Sequence, residues 1–130
     1  MRILIAEDNK MNQLVAMRLL TRLGYESDVV GDGADAVQAV LGAQYAAVLM
    51  DCHMPGVDGF AATMEIRERE TRQPRTPIIA MTSRAFDRDR DLCLAAGMDD
   101  YLRKPIRPEA VRSMLERWVV HTAEDQAESA

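Results

Sequence analysis

Glu7, Asp8, Asp51, Thr82 and Lys104 combine residue types that suit phosphoryl chemistry, and each stands just after a short apolar run or beside one. Glu7 and Asp8 follow Ile3-Leu4-Ile5-Ala6. Asp51 follows Ala46-Ala47-Val48-Leu49-Met50. Thr82 follows Pro77-Ile78-Ile79-Ala80-Met81, and Lys104 comes shortly after Tyr101-Leu102. Three carboxylates brought together repel one another and need a counter-charge. A hard divalent cation answers that need, because Mg2+ takes oxygen ligands and commonly binds one or two carboxylates together with water and a phosphate oxygen. Lys104 adds a positive point charge. A carboxylate can itself act as a nucleophile and become an aspartyl phosphate. Phosphoryl transfer asks mainly for positioning and for neutralisation of the charge spread over the equatorial oxygens. Singly, each residue has a plainer reading. Glu7-Asp8-Asn9 could cap a helix, since Asp and Asn are good N-caps and acids suit a helix N-terminus. Asp51 and Thr82 could be turn residues, and Lys104 a solvated charge. The conjunction is what the plainer readings explain poorly.

The elements that must position these residues are legible as a pattern. Continuous apolar runs of this length fit strands buried on both faces, as in a parallel sheet. Asp28-Val29-Val30 and Tyr101-Leu102 are weaker runs that suit edge strands. Between the runs lie helical stripes. Ala16, Leu19, Leu20 and Leu23 fall on one face, and Gly24 ends that helix. Val37, Val40 and Leu41 form a second stripe, and Phe60 and Met64 a third. Ala85 to Ala96 forms a fourth, closed by Gly97. Val111, Met114, Leu115 and Trp118 form a fifth, with Pro108 in its first turn. Five strand–helix units in alternation predict a doubly wound α/β fold with a mainly parallel sheet. In such sheets ligands bind outside the carboxyl ends of the strands, so all five chemical residues converge on one rim.

Bulk properties bound the rest. The chain has 130 residues, enough for one domain with a sizeable core, with 48% hydrophobic and 28% charged residues. A net charge of −5 argues against a nucleic-acid surface. Cys52 and Cys93 form no Cys-x-x-Cys pair, and we read them as two reduced thiols of a cytoplasmic protein. No apolar run approaches the roughly 20 residues that span a bilayer. The stretch 121–130 is polar and acidic and reads as a tail or linker stub after a domain over 1–120.

Four segments together resemble the receiver, or response-regulator, family. They are Ile5-Ala6-Glu7-Asp8-Asn9, Leu49 to Gly59 with Asp51-Cys52-His53-Met54-Pro55-Gly56 at its centre, Ile79-Ala80-Met81-Thr82, and Asp99-Asp100-Tyr101-Leu102-Arg103-Lys104-Pro105. The resemblance covers Arg2 to about Val119. It implies a flavodoxin-like (βα)5 three-layer sandwich with a five-stranded parallel sheet of order 2-1-3-4-5. It implies that Asp51 accepts a phosphoryl group from a phosphohistidine partner. Glu7, Asp8, Asp51 and the backbone carbonyl of His53 would hold Mg2+, with Mn2+ as an alternative. Lys104 would contact the phosphoryl group, Thr82 would move toward it, and Tyr101 would rotate inward to fill the space left. The Lys104–Pro105 peptide would be cis, and the switched surface would be the fourth helix, fifth strand and fifth helix. Gly56 and Gly59 would let the chain after Asp51 turn tightly.

Further segments resemble receivers of hybrid sensor histidine kinases, notably Asn9 to Ala16, Met81 to Phe86 and Ala95 to Leu102. On that reading the partner is a histidine kinase core or a histidine phosphotransfer domain, and the parent chain is a kinase that a membrane could anchor. The alternative is a free-standing regulator. In either case we expect no direct nucleic-acid or membrane contact. We expect a monomer or a weak phosphorylation-dependent dimer, and no enzyme activity beyond self-phosphorylation and self-dephosphorylation. His53 and Arg84 stand where relatives vary and are expected to tune the lifetime of the aspartyl phosphate. Two rival classes fit less well. A haloacid-dehalogenase-type phosphatase needs a second acid where His53 stands, and a nucleotide-binding module needs a Gly-rich turn where Glu7-Asp8-Asn9-Lys10 stands.

Overall fold

The computed structural model describes residues 1–71, 75–83 and 87–129, the backbone alone for 87–89 and 120–129. Strands and helices alternate without interruption. They are β1 (Arg2–Ala6), α1 (Lys10–Arg22), β2 (Glu26–Val30), α2 (Gly33–Gly42), β3 (Ala47–Asp51), α3 (Gly59–Arg69), β4 (Ile78–Thr82), α4 (Asp87–Ala96), β5 (Asp100–Arg103) and α5 (Pro108–Ser129). All strand pairs are parallel and the order is β2-β1-β3-β4-β5. The two weak apolar runs therefore lie on the edge strands, as expected.

Side chains of a strand alternate between faces, and each face here buries its own core. Ile3, Ile5, Leu49, Ile79 and Leu102 meet Ala16, Leu19 and Leu20 of α1 and Val111, Leu115 and Val119 of α5. Leu4, Ala6, Val48, Met50, Ile78 and Ala80 meet Val37 and Val40 of α2, Ala62 and Ile66 of α3 and Cys93 of α4. Because β1, β3 and β4 are covered on both faces, they carry the continuous apolar runs seen in the sequence.

The third helical stripe is met in part: Phe60 packs against the core as expected, and Met64 does not. Met64 is 56% exposed, and α3 instead buries Gly59, Ala62, Thr63 and Ile66. Apart from Ile66, that stripe keeps helical spacing with small and hydroxyl residues, which a count of large apolar residues passes over. Thr63 satisfies its buried hydroxyl by donating to the Gly59 carbonyl at 2.7 Å.

Opposite the functional rim, Arg67 ties three elements together. It donates to the carbonyls of Gly97 (2.9 Å) and Thr76 (2.8 Å), and to the carboxylates of Glu70 and Asp99 (both 2.8 Å). Asp99 also accepts from the Ile78 amide at 2.9 Å, which anchors the start of β4. These hydrogen bonds and ion pairs give the cluster a structural role.

Candidate functional site

Asn9 is the N-cap of α1, its side chain accepting from the Asn12 amide at 3.0 Å. Glu7 and Asp8 are thus left over from that task. Glu7 is fully buried at the end of β1, where its amide donates to the Val30 carbonyl at 3.0 Å, and Asp8 is exposed beside it.

Asp51 closes β3 and is 4% exposed. One carboxylate oxygen from each of Glu7, Asp8 and Asp51 lies within 4.8 Å of the others. Lys104 reaches in from the loop after β5, its Nζ 2.9 Å from Glu7 Oε2 and 3.1 Å from Asp51 Oδ2. The Lys104 amide donates to the Thr82 carbonyl at 2.7 Å, which joins the ends of β4 and β5. Thr82 is buried at the last position of β4, and β3 and β4 align Asp51 with Met81. The Lys104–Pro105 peptide is cis.

Tight local packing fixes the Asp51 carboxylate. The His53 amide donates to Asp51 Oδ1 at 3.1 Å, and the Gly59 amide donates to the Cys52 carbonyl at 3.2 Å. A Cβ at Gly59 would lie 2.2 Å from the Asp51 carbonyl oxygen, so only glycine lets α3 start this close to β3. Gly56 has φ +75°, which glycine adopts readily.

The electrostatics follow from burial and proximity. Burial raises Asp51 to about 6, helped by its hydrogen bond with Glu7 and opposed by the His53 amide and Lys104. Burial also works to raise Glu7, but hydrogen bonds with Asp51, Asn12 and Lys104 outweigh it and hold Glu7 below its usual range. Of the two acids, Asp51 is therefore the first to take up a proton as pH falls. Burial works to lower Lys104, and its two carboxylate partners outweigh that and raise it. Three carboxylates beside one ammonium form a site short of positive charge. That donor set, all oxygen and converging within a few ångströms, fits a hard divalent cation.

Two contributors are not among the expected site residues. Asn12 Nδ2 donates to Glu7 Oε1 at 2.9 Å, and Gln13 Nε2 donates to the Glu7 carbonyl at 2.6 Å. Their signal was positional, as amides in the first turn of the helix that follows Glu7. Tyr101 is half-buried and packs against the α2–α3–α4 core. His53 is exposed and meets Phe60 edge to face, with ring centroids 6.2 Å apart. Arg84 lies outside the described residues. A groove beside the carboxylates is lined by Glu7, Asn12, Val15, Lys104, Pro105 and Ile106. Val15 belongs to α1, which also exposes the apolar residues Met11 and Leu14.

A family model described as the response regulator receiver domain matches residues 3–116. The chain is 40% identical over 119 residues to the sensor protein GacS of Pseudomonas syringae pv. syringae, covering 90% of this chain and 13% of that protein. It is 46% identical, with a TM-score of 0.83, to the receiver domain of sensor histidine kinase PA1611 from Pseudomonas aeruginosa PAO1. That match covers 91% of this chain and 96% of the other, whose crystal structure has a magnesium ion coordinated in the active-site cleft. A further match, 25% identical with a TM-score of 0.88, covers 95% of this chain and 91% of the other. It is to a co-crystal structure of the Saccharomyces cerevisiae histidine phosphotransfer signalling protein Ypd1 with the receiver domain of its downstream response regulator Ssk1. Among the first curated relatives, the chain spans between 4% and 15% of their length.

Proposed function

Since this chain belongs to the response regulator receiver family, we propose that Asp51 takes a phosphoryl group from a phosphohistidine on a partner protein and thereby switches the domain. In that step the phosphorus–nitrogen bond of the donor breaks as a bond forms to an Asp51 carboxylate oxygen. The observation that carries the reading is the convergence of Glu7, Asp8 and Asp51 within 4.8 Å, bridged by Lys104 from another strand end.

Glu7, Asp8, Asp51 and the His53 carbonyl would hold Mg2+, or Mn2+ in its place. The cation supplies neutralisation of the carboxylates and of the transferring oxygens. Lys104 is held by the two buried carboxylates, ready to meet a phosphoryl oxygen. Thr82 supplies a hydroxyl from the adjacent strand end, and Tyr101 occupies the inward space when Thr82 moves. The surface of α4, β5 and α5 carries the change to the next protein.

The partner in this reading is a histidine kinase core or a histidine phosphotransfer domain. Its docking helix lies on the apolar residues of α1 and the adjoining groove, which open directly beside Lys104 and Glu7. In this reading the parent protein is a hybrid sensor histidine kinase, with the receiver domain over 1–120 and a polar tail or linker stub over 121–130. A cytoplasmic setting agrees with this, and no helix among the described residues is long and apolar enough to cross a membrane.

The test is direct. With Mg2+ and acetyl phosphate, the intact chain gains the mass of one phosphoryl group in an acid-stable, base-labile form, and Asp51→Ala does not. An undiminished gain in that variant, or no gain in the native chain, overturns the proposal.

A further inference from the structure

Cys52 and Cys93 stand 41 residues apart in sequence, yet their sulfurs lie 3.9 Å apart in the core, close enough for either thiol to donate to the other. Cys52 directly follows Asp51 at the end of β3, and Cys93 sits in the second half of α4. We propose that this pair is an oxidative modification site, at which a hydroperoxide converts the two thiols to an intramolecular disulfide that tethers α4 to the phosphoacceptor strand.

The chemistry balances in two steps. One sulfur attacks the peroxide oxygen as its thiol proton passes to the departing oxygen, the O–O bond breaks, and a sulfenic acid forms as water or an alcohol leaves. The second thiol then attacks the sulfenic sulfur, the S–S bond forms, and water leaves. Two thiols lose two electrons, and the peroxide gains them.

The geometry favours the pair over either partner alone. An S–S bond of about 2.0 Å requires the sulfurs to close by roughly 1.9 Å. Cys52 is the fixed end, because its amide donates to the Met81 carbonyl at 3.1 Å and its carbonyl accepts from Gly59 at 3.2 Å. Cys93 supplies the movement, on a helix that packs against the sheet from outside. Both residues are buried, at 1% and 2% exposure, which selects a small hydroperoxide over a bulky disulfide reagent. The tether acts one residue from Asp51, whose Oδ1 is held by the His53 amide.

The experiment treats the whole chain with hydrogen peroxide under native conditions, then alkylates in denaturant. The expected result is a mass loss of two hydrogens and a single linked peptide pair joining Cys52 to Cys93. Dithiothreitol reverses it, and Cys52→Ala and Cys93→Ala each lack it. Hydrogen exchange in α4 is slower in the oxidised than in the reduced chain. Thiols that stay fully alkylatable after the same peroxide has consumed those of the urea-unfolded chain overturn the site, as do products carrying only added oxygen or links between chains. Unchanged α4 exchange in a crosslinked sample overturns the tether. Neither readout uses phosphoryl transfer, so the result stands apart from the function proposed above.

Discussion

At the residue scale, the Asp51 carboxyl takes up a proton more readily in the fold than an ordinary aspartate does. Asp51 is raised from 3.8 to about 6 by burial and by Glu7, so the folded chain binds that proton more tightly than the unfolded chain does. The associated stability is fully present below the unfolded value and is lost as pH rises through the folded one. The metal-free domain should therefore lose stability between about pH 4 and pH 6 through this residue, with the lowered Glu7 opposing part of the change. Asp51→Asn removes the buried negative charge. We expect it to flatten that slope, to add on the order of 1–2 kcal/mol in EDTA at neutral pH, and to abolish phosphoryl uptake. Urea unfolding over a pH series checks the first two, and an unchanged slope would count against the raised Asp51. His53 lines the rim, and with Arg84 it is proposed to set how long the aspartyl phosphate lasts. Exchanging both for residues of other charge should change the dephosphorylation rate several-fold, on the order of the effect of one charge-assisted contact. An equal rate removes that role.

At the scale of elements, α1 does two jobs with one short sequence. Its inner face packs Ala16, Leu19 and Leu20 on the sheet, and its first turn sends Asn12 and Gln13 to Glu7. Its outer face leaves Met11 68%, Leu14 41% and Val15 46% exposed. Exposed apolar residues at helical spacing beside a reactive centre suit a partner helix. The double variant Met11→Glu, Leu14→Glu should lower uptake from a phosphorylated histidine phosphotransfer domain relative to uptake from acetyl phosphate by about tenfold or more. A ratio equal to that of the native chain argues against docking on α1.

At the scale of the whole molecule, the parallel sheet is what makes the site. Every strand points the same way, so the ends of β1, β3, β4 and β5 deliver their polar residues to one edge while both cores lie beneath. The start of α3 is pressed against β3 at Gly59, with no room for a methyl group. Gly59→Ala should cost about 1–3 kcal/mol by overpacking and, by displacing the Asp51 backbone, slow uptake from acetyl phosphate. Full stability together with a full uptake rate would show that the contact does not govern the site.

Much of this was legible in the residue order. Alternating apolar runs and helical stripes specify the doubly wound plan because burial on two faces demands continuous hydrophobicity in β1, β3 and β4. The five chemical residues could be named because the rule for parallel sheets places strand-end residues on one rim. Other features needed three dimensions. Whether Glu7 and Asp8 capped a helix depended on Asn9 taking that role. The α3 stripe was hidden because Gly59, Ala62 and Thr63 bury little apolar area per residue. The support of Glu7 by Asn12 and Gln13 depends on where the first turn of α1 points its side chains. The Cys52–Cys93 pair had no local signal at all. Sequence carries local periodicity and chain order, while contacts between residues 41 apart exist only once two helices and a sheet have packed.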